Sequence, residues 1–142
     1  MDGPLLGLDL GARRIGLAIS DADASIAFPI GALTSRGRAK DLEALDALIR
    51  ERGVKAIVVG LPLHLDGHSG PEAESARRFA AALAEATQLP VELVDERWTS
   101  AEAQRTLRDA PRSRRREKSN VDALAATLIL RSYLDRAERG SA

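Results

Sequence analysis

Residues 5–20, LLGLDLGARRIGLAIS, are two apolar runs joined by a short polar turn, and an aspartate stands inside the first run. Runs of this kind pair antiparallel across the turn, so the chain should open as a strand pair. A carboxylate in a buried strand is costly unless something neutralises it. The fold must therefore bring a cation or hydrogen-bond donors to Asp9. Gly7 and Gly11 share the strand face of Asp9, so the side chains beside the carboxylate are missing on both sides. Glycine at such positions clears room for a backbone or a ligand to come close.

The hydrophobic period then changes along the chain. IAFPIGAL (26–33) reads as a third strand, and Pro29, which lacks an N–H, suits a sheet edge. In RAKDLEALDALIRERG the residues Leu42, Leu45, Leu48 and Ile49 follow helical spacing, with Gly53 as the stop. VKAIVVGLP (54–62) is short, β-branched and nearly all apolar, the pattern of a strand covered on both faces. PEAESARRFAAALAEATQ (71–88) predicts a helix with Pro71 in its first turn, and PVELVDE (90–96) predicts a strand. Thr99 and Glu102 form a capping-box pair that starts a helix ending before Pro111. PRSRRREKS reads as a basic loop. A last helix is expected from Asn120 to about Arg139, with Val121, Leu124, Ala125, Leu128 and Ser132 on one stripe.

Strands reached through helical crossovers run parallel, whereas the first three are antiparallel. The expectation is one α/β domain over 1–142, with residues 136–142 as a frayed tail. Its sheet is mixed and five-stranded, three antiparallel strands then two parallel, with helices on both faces. Hydrophobic residues make up 44% and charged residues 30%, which fits an ordinary globular core rather than a disordered chain. No apolar run reaches the length of about 18 residues that a membrane span needs. MDGPLLG lacks the basic start of a secretion signal. The chain has no cysteine, which excludes disulfides and thiolate metal sites and makes a reducing cytoplasm the default setting.

Two further acidic positions join Asp9 as candidates. Asp95 and Glu96 end a predicted parallel strand, where ligands of open α/β sheets collect. Successive strand residues point to opposite faces, so one of the two should aim at a given site; Glu96 has the longer reach. Asp122 shares a helical face with Ala125, Ala126 and Ile129, and that face is otherwise apolar. Plainer roles exist for each: Asp9 as the entrance to a turn, Asp95 and Glu96 as surface partners of Arg97, Asp122 as a dipole partner in a first helical turn. If Asp9, Glu96 and Asp122 converge, their mutual repulsion calls for a cation. Hard oxygen donors suit Mg²⁺ or Mn²⁺, and a pair of such ions can drive phosphodiester hydrolysis.

The formal net charge is zero, but residues 97–119 carry eight basic against three acidic side chains. Arg97, Arg112, Arg114, Arg115, Arg116 and Lys118 could track a phosphate backbone, as could Arg13 and Arg14 in the turn after Asp9. Aromatic residues are only 3%, which favours recognition of shape and backbone over base stacking. His64 and His68 are loop residues with little claim to a metal, and Trp98 suits core packing better than a base.

The segments GLDLGARRIGLAISD, IVVGLPLHLDG, DERWTSAEA and KSNVDALAATLILRSYL resemble, in order and spacing, the signature segments of the YqgF/RuvX family. The resemblance covers about residues 5–135. It implies an RNase H-like fold and a metal-dependent nuclease, either a Holliday junction resolvase of DNA recombination and repair or a nuclease maturing the 5′ end of pre-16S ribosomal RNA. The family's acidic positions fall on Asp9, Glu96 and Asp122, with Asp95 in a supporting role. Ala12 and Trp98 depart from residues common in the family, and neither departure removes an acid.

In an RNase H-like sheet the strand ending at Gly60 separates those of Asp9 and Glu96. Strands lie about 4.8 Å apart, so Glu96 must reach nearly 10 Å across the small Gly60. Cleaving a branched DNA symmetrically would take two protomers, hence a homodimer. Two other classes compete. One is an ATP-binding phosphotransferase of the actin, Hsp70 and sugar-kinase type, disfavoured because those proteins close two domains over ATP. The other is a non-catalytic nucleic-acid-binding module.

Overall fold

The run from Leu5 forms β1 (Leu5–Leu10), which turns back into β2 (Arg14–Ser20) with Asp9 opposite Gly16 and Gly7 opposite Ala18. β3 (Ala27–Thr34) adds antiparallel to β2 at the sheet edge. The ladder slips between Leu17 and Ala18, which pair with Gly31 and Pro29 and leave Ile30 bulged, so the proline is accommodated at the edge as expected. α1 (Arg38–Arg52) ends at Gly53, whose φ of 64° is the left-handed stop that glycine supplies. Then follow β4 (Ala56–Leu61), α2 (Pro71–Thr87), β5 (Val91–Asp95) and α3 (Arg115–Gly140). The computed structural model describes residues 2–63, 66–96 and 115–140, with side-chain detail in the last segment over 121–137.

β4 pairs parallel with β1, and β5 parallel with β4, giving the order β3-β2-β1-β4-β5. This is the mixed five-stranded sheet expected, with β1 at its centre. Alternation along the strands sends Leu6, Leu8, Ile57 and Val59 to one face, where they pack with Leu45 of α1 and Leu83 of α2. Leu5, Ala18, Val58 and Val94 face the other way and meet Ala126, Ile129 and Leu130 of α3. Full burial of Ile129 and Leu130 contributes about 1.5–3 kcal/mol each.

α3 departs from the sequence expectation at its start. It begins at Arg115, so the second half of the expected basic loop is helix; its Arg-Arg-Glu-Lys run is made of good helix formers. It ends at Gly140, within a residue of the expected end. Its inward face also differs. Leu124 is exposed, and the buried residues are Asp122, Ala123, Ala125, Ala126, Ile129, Leu130 and Leu134. The reason lies in the sheet. A Cβ at Gly7 would sit 2.8 Å from the Leu130 Cβ and 3.1 Å from the Ala126 carbonyl oxygen, and a Cβ at Gly16 would overlap the Asp122 backbone. The helix rests on the glycines, whose missing side chains let Leu130, Ala126 and the Asp122 backbone come this close.

Two outcomes follow from this packing. Gly7→Ala should lower the unfolding free energy in urea by about 1–3 kcal/mol, through overpacking against Leu130; an unchanged midpoint would contradict so close a helix. In the turn between β2 and β3, Asp21 accepts hydrogen bonds from the Ile26 N–H, the Ser25 hydroxyl and the Ser25 N–H at 2.7–2.9 Å. These donors pull its carboxyl from the ordinary 3.8 down to about 2. Because the folded value is the lower one, the turn's contribution is present above pH 3.8 and is lost as pH falls through about 2. A carboxyl-carbon NMR titration should place the Asp21 midpoint near 2 rather than 3.8.

Candidate active site

Asp9, Glu96 and Asp122 all lie on the α3 side of the sheet, and all are buried, at 0%, 2% and 0% exposure. Three carboxylates withdrawn from water on one face are too costly to be incidental to packing. β1 carries Asp9 near its carboxyl end. On one side its neighbour is Gly16, and the Asp122 backbone lies on that glycine. On the other side is β4. Leu8 pairs with Val59, so the next residue, Gly60, stands level with Asp9.

A Cβ at Gly60 would sit 2.7 Å from Glu96 Oε1 and 2.6 Å from Ile129 Cδ1. The Glu96 carboxyl therefore reaches back from the end of β5 and lies over β4, as the long reach from the outer strand requires. Asp9 is flanked by two positions without side chains, one roofed by Asp122 and the other by Glu96.

Asp95 does not join this group. It ends β5 opposite Leu61, and alternation turns it toward the α2 side. Which of the two adjacent acids faces the α3 side is therefore decided: it is Glu96. Asp122 stands two turns into α3, so it is not the first-turn dipole partner that the shorter helix implied. Its partner is Arg14, whose Nε donates to Asp122 Oδ2 at 2.6 Å. Arg14 opens β2 and shares the strand face of Gly16. Arg13, beside it, is exposed. The Arg115, Arg116 and Lys118 backbones are helical, with Lys118 one turn before Asp122. Arg97, Arg112, Arg114, His64, Trp98 and the Thr99–Glu102 cap lie outside the described residues.

A family model described as "RuvX: Holliday junction resolvase" matches residues 3–136. The chain belongs to the RuvX family. Its fold is RNase H-like, and family membership makes it a nuclease. A relative from Chloroflexus aurantiacus, named "Putative pre-16S rRNA nuclease", is 45% identical over 134 residues, 94% of this chain and 88% of its own length. A relative of the same name from Anaeromyxobacter is 48% identical over 130 residues, covering 92% and 95%. Thermus thermophilus RuvC in complex with a Holliday junction substrate superposes with a TM-score of 0.60 at 16% identity, over 97% of this chain and 96% of that one. That likeness concerns the fold alone. The kinase-like alternative is not favoured.

The sequence did not mark Asp41, a fourth buried acid among the described residues. The Ser35 hydroxyl donates to its Oδ2 at 2.6 Å and the Arg36 N–H to its Oδ1 at 2.8 Å. The available signal was an acid in the first turn of a helix just after a serine. Asp41 borders a cleft of about 270 Å³ with Leu10, Ile15, Arg38 and Phe79, on the α1 and α2 side of the sheet. It is separate from the carboxylate face.

The row around Asp9 is testable at Gly60. Gly60→Ala should displace the Glu96 carboxyl and lower nuclease turnover on the order of 100-fold, the scale of an ångström's misplacement, while the far-ultraviolet dichroism stays that of the wild type. Full activity in this variant would mean that the site does not need the Glu96 carboxyl in its place over Gly60.

Proposed function

We propose that the chain is a metal-dependent endonuclease that hydrolyses phosphodiester bonds in structured nucleic acid, with Asp9, Glu96 and Asp122 as the ligands of Mg²⁺ or Mn²⁺. The observation that carries this reading is the glycine-flanked row: Asp9 between the Asp122 backbone on Gly16 and the Glu96 carboxyl over Gly60. The donor set fits a hard cation, being all oxygen and fully withdrawn from solvent. Among the described residues, no three His, Asp or Glu side chains stand close enough to hold one ion as they lie. Binding therefore requires the carboxylates to draw together. Divalent ions bound there would supply an activated water and stabilise the leaving oxygen.

The chain's own residues set the rest. The α3 contact on Gly16 fixes Asp122 along the sheet, and the absence of side chains at Gly16 and Gly60 keeps Asp9 accessible to its neighbours. Arg13, Arg14, Arg97, Arg112, Arg114, Arg115, Arg116 and Lys118 form the basic supply for phosphate contacts, which makes binding steeply salt-dependent. Asp95 supports the site through its place at the end of β5. The curated relatives' name favours a ribosomal RNA precursor as substrate, and the family description favours a four-way DNA junction. The cysteine-free composition supports work in a reducing cytoplasm.

A side-by-side cleavage assay on both substrates with Mg²⁺ or Mn²⁺ tests the reading. Asp9→Asn and Asp122→Asn should each lose on the order of 100-fold or more in cleavage and still bind the cleaved substrate. If the wild type binds but never cuts either substrate, a non-catalytic binding module takes its place.

A further inference from the structure

We propose that Arg14 is a built-in placeholder for the divalent cation: its guanidinium holds the Asp122 carboxylate in the metal-free protein and must release it when an ion binds. This rests on the metal reading above and assigns a competitor within the same site. The Arg14–Asp122 bond is a short charge-assisted contact of 2.6 Å between a fully buried acid and a side chain that keeps 24% of its surface exposed. One end of the pair is locked under α3, and the other reaches solvent.

Asp122 has little room to turn away, because its side chain is fully buried and its backbone rests on Gly16. Arg14 can, because only its backbone is fixed: it sits in β2, and its carbonyl accepts the Gly11 N–H at 2.9 Å. A carboxylate oxygen that already accepts from a guanidinium is a poorer donor to a hard cation, and the two positive charges repel each other at that distance. The exchange is therefore one cation for another at Asp122 Oδ2. It stabilises the buried acid before loading and leaves a free guanidinium afterwards. That guanidinium sits at the solvent margin, where a substrate phosphate is its natural partner.

The test measures Mn²⁺ affinity by calorimetry on the full chain, together with the melting temperature with and without Mn²⁺. Arg14→Gln should bind Mn²⁺ about tenfold more tightly than the wild type. Its metal-free melting temperature should fall, and the gap to the wild type should narrow at saturating Mn²⁺. Arg13→Gln removes the same charge from the same turn without breaking the bond to Asp122, and should change the affinity less than about threefold. Arg14→Lys keeps the charge but loses the planar fork, so it should tighten Mn²⁺ binding by a smaller factor; it carries the comparison if Arg14→Gln does not fold.

Wild type that binds Mn²⁺ with no tightening in either Arg14 variant overturns the placeholder alone. So does an Arg13→Gln effect as large as that of Arg14→Gln, which would reduce the result to general charge. Mn²⁺ binding absent from the wild type and the Arg14 variants alike overturns the metal reading, and the placeholder with it.

Discussion

The close seat of α3 on the sheet governs both the core and the site. Where Gly7 and Gly16 present no side chain, the helix backbone comes down onto the strands, and Ala123, Ala125 and Ala126 fill the narrow seam. A helix held at ordinary distance would carry Asp122 away from β1. Seated this low, it puts a charged residue into a layer otherwise made of alanine, isoleucine and leucine. The packing that supplies stability thereby forces an acid into the interior, and the interior must then offer it a cation.

The same reliance on missing side chains recurs at Gly60, one strand over. There the space is taken by the carboxyl of Glu96 rather than by backbone. The two glycines do opposite things for Asp9: one admits a helix, the other admits a reaching acid from the outer strand. Neither bears chemistry itself, yet the spacing among the three acids is set by their lack of a Cβ.

Much of this was legible in the sequence. The opening strand pair, the edge position of Pro29 and the helix stop at Gly53 each follow from one local cause, respectively two apolar runs around a polar turn, a missing N–H and a left-handed φ, and each stands where it was expected. The apolar face shared by Asp122, Ala125, Ala126 and Ile129 was legible from helical spacing. The competing stripe through Leu124 was wrong because hydrophobicity alone could not reveal that the sheet beneath is flat with glycine. The start of α3 was missed because a run of arginines reads as a solvated loop when judged by charge, although arginine is a good helix former. The choice between Asp95 and Glu96 needed the parity of β5 against its neighbour, a long-range fact. The grip of Arg14 on Asp122 joins residues 108 positions apart, beyond the reach of any local pattern.

The bulge on β3 bears on what can add to the sheet at that edge. With Pro29 offering no N–H and Ile30 thrown out of step, the outer rim of the sheet lacks the unbroken ladder that a docking strand would need. Continuation of the sheet by an added strand is thereby disfavoured at that rim, whereas the opposite edge, β5, keeps an unshifted register with β4.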